Sequence, residues 1–167
     1  MEINIEPFSQ ELLLPLQKLA IQTFEESYPE ERERGVYIEL HYTLAALTKD
    51  LEMKNNGYFL AKIGTECVAF MKLIALRSPD FLSGINMEIA RIYVLKAYHG
   101  QHIGKQLLAI AEREAKAIHA ENLWLLVWEE NRSAQRFYEK NGFTLEGTIP
   151  FLYGDRWEDD WVYVKTL

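Results

Sequence analysis

The stretch His99-Gly100-Gln101-His102-Ile103-Gly104-Lys105 follows a strand-like run, Met87 to Leu95, and opens into a long helical pattern. A strand, a short glycine-bearing loop and a helix in that order aim unbonded backbone N–H groups and the positive end of the helix dipole at one point. That arrangement suits a phosphate or pyrophosphate. Gly100 and Gly104 let the backbone approach such an anion closely, and Lys105 adds a charge in the first helical turn. The same stretch without a ligand is a tight strand-to-helix connection. It has neither the Gly-Lys-Ser/Thr ending of a P-loop nor the third glycine of a dinucleotide fingerprint.

A second stretch runs from Asn131 to Phe143, directly after the apolar segment Leu123 to Trp128. It reads Asn131-Arg132-Ser133-Ala134-Gln135-Arg136-Phe137-Tyr138-Glu139-Lys140-Asn141-Gly142-Phe143. Together the two stretches resemble the GNAT superfamily of N-acetyltransferases. Its later signature, Asn-x-x-Ala-x-x-x-Tyr-x-x-x-Gly-Phe, is matched at every fixed position. Its pyrophosphate loop, Arg/Gln-x-x-Gly-x-Gly/Ala, is matched with His99 at the Arg/Gln position, His102 at the first Gly and Gly104 at the last. Within the superfamily, several segments are similar to a bacterial branch that acetylates polyamines such as spermidine and spermine. They are Glu88-Ile89-Ala90-Arg91-Ile92-Tyr93-Val94, Leu123 to Glu129, Gly154-Asp155 and the closing Lys165-Thr166-Leu167.

The resemblance implies acetyl-CoA as co-substrate and a direct transfer through a ternary complex, since no residue stands out as an acyl-carrying nucleophile. It implies that backbone N–H groups of Ile92, Tyr93 and Val94 bind the acetyl carbonyl and the pantetheine arm, supplying the oxyanion stabilisation that acyl transfer needs. The loop His99, Gly100, Gln101, His102, Ile103, Gly104 and Lys105 would hold the pyrophosphate. Asn131 would anchor the cofactor by its side-chain amide, and Lys140 would reach a CoA phosphate or remain a solvated surface lysine. Tyr138 is implied as the acid that protonates the departing thiolate; the alternative is a helix tyrosine packed with Phe137 and Phe143. Alkylammonium groups, with a pKa of roughly 10.4, leave only about one molecule in 2,500 as a free nucleophile at pH 7, a cost of about 4.6 kcal/mol. A base is therefore useful. Glu88 stands where several superfamily members carry one, and otherwise is an ion-pair partner of Arg91 or another cation.

The elements that must position these residues follow from periodicity. Ile3 and Ile5 alternate with polar residues, as in a half-buried strand. Ser9 is a candidate helix N-cap, and Leu12, Leu16, Leu19, Ala20 and Phe24 then recur at helical spacing. Leu40, Leu44, Leu47 and Leu51 form a second helical stripe. Between the two lie Glu25, Glu26, Glu30, Glu31 and Glu33, either a solvated face or carboxylates that collect a polycation. Tyr58 to Ile63 and Cys67 to Leu76 flank Gly64-Thr65-Glu66 as a β-hairpin. After the loop, Leu107, Leu108, Ala111, Ala115 and Ile118 mark the apolar face of the long helix. Leu123 to Trp128 reads as a strand buried on both faces, with Trp124 and Trp128 on one side of it as core. Ser133 to Lys140 is a short helix stopped by Gly142, and Phe143 to Ile149 with Trp157 to Leu167 are two closing strands around Gly154-Asp155. The expected fold is a mixed α/β (α+β) sheet in one GNAT domain, residues 1–167, with element order β-α-α-β-β-β-α-β-α-β-β.

Composition narrows the partners. The 167 residues carry 18 Lys+Arg against 25 Asp+Glu, a formal net charge of −7. Nucleic-acid binding draws on neutralising phosphates, so DNA or RNA is not expected as a partner. A cationic small-molecule amine fits the field better. No apolar run is long enough for a membrane span. The acidic, alternating N-terminus is unlike a secretory signal, so a cytoplasmic setting is expected. The single cysteine, Cys67, excludes an internal disulfide and a zinc site built from cysteines. His41, His99, His102 and His119 form no His-Glu-x-x-His pair, so no metal is expected, and no Gly-x-Ser-x-Gly elbow marks an activated serine. A homodimer is expected from the family. Two rival functions stay open: acetylation of a protein α-amino group or lysine, and a non-catalytic acyl-CoA-binding sensor.

Overall fold

Leu12, Leu16, Leu19, Ala20 and Phe24 are all buried, and the last four fall on one side of a helix, α1 (Leu13–Ser27). The computed structural model describes residues 2–28, 31–153 and 156–167, the side chains of residues 31–33 and 153 excepted. Glu30, Gly154 and Asp155 therefore lie outside the described residues, as do the side chains of Glu31 and Glu33. By their internal contacts the residues fall into two units, Met1–Leu73 with Arg91–Ala109 and Ile74–Ala90 with Ile110–Leu167.

In the first unit, β1 (Ile3–Pro7) pairs antiparallel with β2 (Asn56–Ile63), from Ile3↔Ile63 to Pro7↔Phe59. Gly64, with φ +60°, turns β2 into β3 (Glu66–Ala75), the hairpin expected from its pattern. Ser9 precedes a single 3₁₀ turn, Gln10–Leu12, and makes no side-chain capping bond; its hydroxyl donates to Glu11 instead, at 3.3 Å. Between β1 and β2 the chain forms one helix more than its leucines suggest. Leu40, expected in the second helix with the other three leucines, instead lies in α2 (Glu31–His41), which begins inside the glutamate segment expected between the helices, and α3 follows at Leu44–Leu51. Thr43 caps α3 by accepting the Ala46 N–H at 3.2 Å. The four-leucine stripe is thus broken in two, with Leu47 buried while Leu40 is 64% and Leu44 41% exposed. Tyrosines hold this region instead. The Tyr37 ring stacks on Phe24 at 4.3 Å, and Tyr42 meets Phe24 edge-on at 5.8 Å.

The second unit contains the start of β4 (Asn86–Val94), which runs parallel to β5 (Asn122–Trp128). Their ladder covers Asn86↔Asn122, Met87↔Leu123 and Glu88↔Trp124, although β4 itself continues to Val94. β5 then pairs antiparallel with β7 (Arg156–Thr166), which pairs with β6 (Thr144–Tyr153). Among the described residues the strands hydrogen-bond in the order β1-β2-β3-β4-β5-β7-β6, a seven-stranded mixed sheet. In β5, Leu123, Trp124, Leu125 and Val127 are buried as expected, but Leu126 is 37% exposed. Trp124 packs with Val162, Val164, Leu82 and Ile149. The helix α4 (Ile103–Ala117) buries Leu107, Leu108, Ala111 and Ala115, and Ile118 lies just past its end. A short helix, α5 (Arg132–Lys140), ends at Gly142, whose φ of +87° gives the αL stop that its position called for.

Asp160, opposite Trp128 in the β5–β7 ladder, is a consequence of this packing that the pattern did not mark. Burial pushes its carboxyl up to about 6, and the adjacent charges of Glu158 and Asp159 push the same way. The folded chain therefore keeps a proton that the unfolded chain has released, and stability falls as pH rises from the ordinary carboxylate value through about 6. Asp160→Asn is expected to raise the melting temperature at pH 7.5 and to change it little below pH 4. An equal gain at both pH values would show that the effect is not ionisation.

Candidate active site

The loop between β4 and α4 is pinned at both ends. Leu95 is buried and its N–H donates to the Val68 carbonyl at 3.0 Å; Ile103, at the start of α4, is also buried. Within the loop, Lys96–Tyr98 form one 3₁₀ turn, and the Lys96 N–H donates to Glu26 Oε2 at 2.8 Å. Tyr98 donates its hydroxyl to Glu66 at 2.7 Å. His99 turns back on its own strand, with Nε2 2.9 Å from the Val94 carbonyl. A carbonyl only accepts, so Nε2 is the protonated nitrogen in that contact. Gly100 and His102 both adopt left-handed backbone, φ +78° and +61°. His102, standing where the superfamily has glycine, takes up a conformation that glycine adopts freely and histidine adopts at a cost. The first bond into α4 runs from the Gln106 N–H to the His102 carbonyl, at 3.1 Å. The N–H groups of Ile103, Gly104 and Lys105 precede it and have no acceptor inside a helix. Lys105 is exposed, and Gln101 and Gly104 are half-buried. On the strand before the loop, Ile92, Tyr93 and Val94 are half-buried.

The second unit holds the other expected residues. Glu88 is buried, and its Oε2 lies 3.2 Å from Arg77 Nε, so the cation it pairs with is Arg77. The Arg77 carbonyl accepts from Trp124 Nε1 at 2.7 Å, which fixes the backbone of that partner. Asn131 caps α5, its side chain accepting the Ala134 N–H at 3.1 Å. The oxygen of its amide is thus taken up by the helix. Gln135 ties the same helix to the end of β5, donating to the Glu129 carbonyl at 2.8 Å and the Trp128 carbonyl at 3.3 Å. Tyr138 is buried between Phe137 and Phe143, edge-on to rings at 5.2 and 5.6 Å. Its ring is core, as the plain alternative holds. Its hydroxyl makes no hydrogen bond among the described residues, and burial pushes it above the ordinary phenol value, which keeps it protonated. Lys140 is exposed.

Arg91, which does not pair with Glu88, stands in a cluster of tyrosines that the sequence does not mark. Its guanidinium lies 5.2 Å from the Tyr42 ring centre and 6.0 Å from that of Tyr37. It donates to the Tyr37 hydroxyl at 3.2 Å and to the Tyr58 hydroxyl at 3.4 Å. Among the described residues no carboxylate comes within ion-pairing distance of Arg91. Asp50 is engaged by Lys72 at 2.7 Å and by the hydroxyl of Tyr58. Against the upward push of burial, those two hydrogen bonds hold the Asp50 carboxyl below its ordinary value. Cation–π contacts are worth about 0.5 to 2 kcal/mol, whereas a buried ion without a counter-charge costs several. The rings alone do not offset the charge. A signal was available in the density of tyrosines at 28, 37, 42, 58 and 93, but no spacing rule brings them together. Of the expected glutamate cluster, Glu26 is spent on Lys96 and Gln22, Glu25 is exposed, and the rest lie outside the described side chains.

The acetyltransferase (GNAT) family model matches residues 16–143, and the chain belongs to that family. It is an N-acetyltransferase and acetyl-CoA is its co-substrate. An uncharacterised N-acetyltransferase of Lactobacillus delbrueckii subsp. lactis is 24% identical over 169 residues, covering 99% of this chain and 98% of that protein. The aminoalkylphosphonate N-acetyltransferase of Salmonella typhimurium is 45% identical over 91 residues, 53% of this chain and 57% of that protein. Among solved structures, the PaiA N-acetyltransferase of Thermoplasma acidophilum in complex with coenzyme A has a TM-score of 0.81 at 24% identity, with all of both chains covered.

The left-handed cost at position 102 gives a direct test of the loop. His102→Gly is expected to stabilise the protein by about 1 kcal/mol in urea unfolding, and His102→Val to destabilise it by a similar amount. Opposite signs would mean that the histidine side chain, and not the backbone, holds the loop.

Proposed function

We propose that residues 1–167 act as one acetyltransferase domain that moves an acetyl group to a small primary amine by direct transfer. The observation that carries this reading is the loop at the start of α4, left-handed at Gly100 and His102 and with the amides of Ile103, Gly104 and Lys105 unused by the helix. Such amides fit a pyrophosphate, so His99 to Lys105 would hold that part of the cofactor, with Lys140 reaching a further phosphate. Asn131 would contribute its remaining amide N–H groups. The bound cofactor supplies an acetyl group activated as a thioester. The N–H groups of Ile92, Tyr93 and Val94, on the part of β4 beyond its ladder with β5, would stabilise the oxyanion that forms when the amine adds. Glu88 would take the proton that the ammonium must lose, directly or through water. Tyr138 would donate its phenolic proton to the sulfur as the carbon–sulfur bond breaks, a role that its protonated, unbonded hydroxyl supports.

A polyamine such as spermidine or spermine is the first acceptor class, supported by the net charge of −7 and the exposed Glu25. An amine that also bears an anionic group is the second. Arg91, half-buried among tyrosines with no carboxylate within ion-pairing distance among the described residues, favours it, as does the likeness to the aminoalkylphosphonate N-acetyltransferase of Salmonella. A cytoplasmic setting and a homodimer complete the proposal; no helix among the described residues is long and apolar enough to cross a membrane.

Acetyl-CoA-dependent CoA release is the test, with spermidine, spermine, monoamines, anionic amines and amino-terminal peptides as acceptors. Turnover restricted to small amines supports the reading, and turnover with peptides alone replaces it. Tyr138→Phe should lower kcat by about 10² to 10⁴-fold where chemistry limits the rate. Acetyl-CoA binding with no turnover on any acceptor would leave a sensor. Glu88→Gln should remove the acidic limb of the pH–rate profile, and an unaltered profile would take the base role from Glu88.

A further inference from the structure

Arg91 offers five N–H donors and, among the described residues, uses two of them, on the hydroxyls of Tyr37 and Tyr58. The Tyr37 hydroxyl accepts from Arg91 and still has its own proton to give. Lys72 and Asp50 face each other at 2.7 Å, so Asp50 is committed to a different cation. His41, whose ring lies 4.3 Å from that of Tyr37, stands near both cations: burial first, and then the charges of Arg91 and Lys72, hold its imidazole below the ordinary value. The cluster is not sealed, because Arg91 and Tyr37 are half-buried and His41 is exposed. Arg91 directly precedes Ile92, the first of the three residues assigned to the acetyl group, on the same strand.

We propose that Arg91 and the Tyr37 hydroxyl form a subsite for an anionic group, a carboxylate or a phosphonate, carried by the amine that is acetylated. This rests on the acetyltransferase reading above and commits it to the second acceptor class. A planar guanidinium with donors to spare matches the paired oxygens of such a group. The tyrosine rings beneath it keep the guanidinium oriented when no ligand is bound. A polyamine, cationic at every nitrogen, would be repelled by the same residues.

The test compares 3-aminopropylphosphonate with n-propylamine, which differ by the anionic group. The wild-type protein is expected to prefer the phosphonate by at least 100-fold in kcat/KM, through KM. Arg91→Gln should reduce that preference to within a few-fold, and Tyr37→Phe, which keeps the ring over Arg91, should reduce it about tenfold. A wild-type preference near unity, or one unchanged in both variants, overturns the subsite while leaving the acetyltransferase intact. Should Arg91→Gln fail to fold, Tyr37→Phe decides alone. Methylphosphonate, which has no amine, separates the two proposals: its binding is followed by calorimetry with CoA saturating, so that the α4 loop is filled. Binding that weakens in Tyr37→Phe supports the subsite even if no amine is turned over, an outcome that would count against the acetyltransferase reading alone. No binding, with turnover of amines present, counts against the subsite alone.

Discussion

The charge of Arg91 is the constraint around which the first unit is arranged. A guanidinium cannot leave water without something to face, and here it faces aromatic rings and phenolic oxygens. Those rings have a second duty. Tyr37 and Tyr42 also pack on Phe24, so the contacts that surround the charge are the ones that fasten α2 and α3 to α1. Amphipathic side chains make this possible, since a tyrosine can bury its ring and still present a polar tip. Apolar helices in the same places would close the core more tightly and leave the guanidinium nowhere to sit.

The second unit solves a different problem, that of holding a short helix at the end of a buried strand. α5 is too short to be stable on its own. It is fixed at its start by Asn131 and Gln135, along its length by Tyr138 between two phenylalanines, and at its end by Gly142. Lys165 completes the arrangement, bonding Glu112 at 2.6 Å and the Asn141 carbonyl at 2.9 Å. Asn131, Gln135, Tyr138 and Gly142 of this motif thus each have a local structural use.

Much of this was legible in the residues before any coordinates. The strands and the helices α1, α4 and α5 follow from apolar periodicity, because burial on one face is what periodicity records. The helix α2 did not follow: its first four residues are all charged, and its anchoring ring, Tyr37, looks like a surface residue when only leucines are counted. Asn131 illustrates a subtler limit. Its side chain suits a cofactor contact and equally suits the capping of an N-terminus, and the sequence does not separate the two uses. Arg91 was invisible as a site for a third reason. What distinguishes it is the carboxylate it lacks, and a missing neighbour leaves no mark on a sequence.

The histidine at position 102 carries a lesson about what such a loop is required to conserve. Amide N–H groups are the same in every residue, so a site made of them depends on handedness and not on side-chain identity. Position 102 satisfies the requirement with φ +61° and a side chain that glycine-based patterns do not admit. Drift there is limited by a steric cost that a well-packed protein can absorb, here between buried anchors at Leu95 and Ile103. The letters can wander while the handedness of the loop stays as it is.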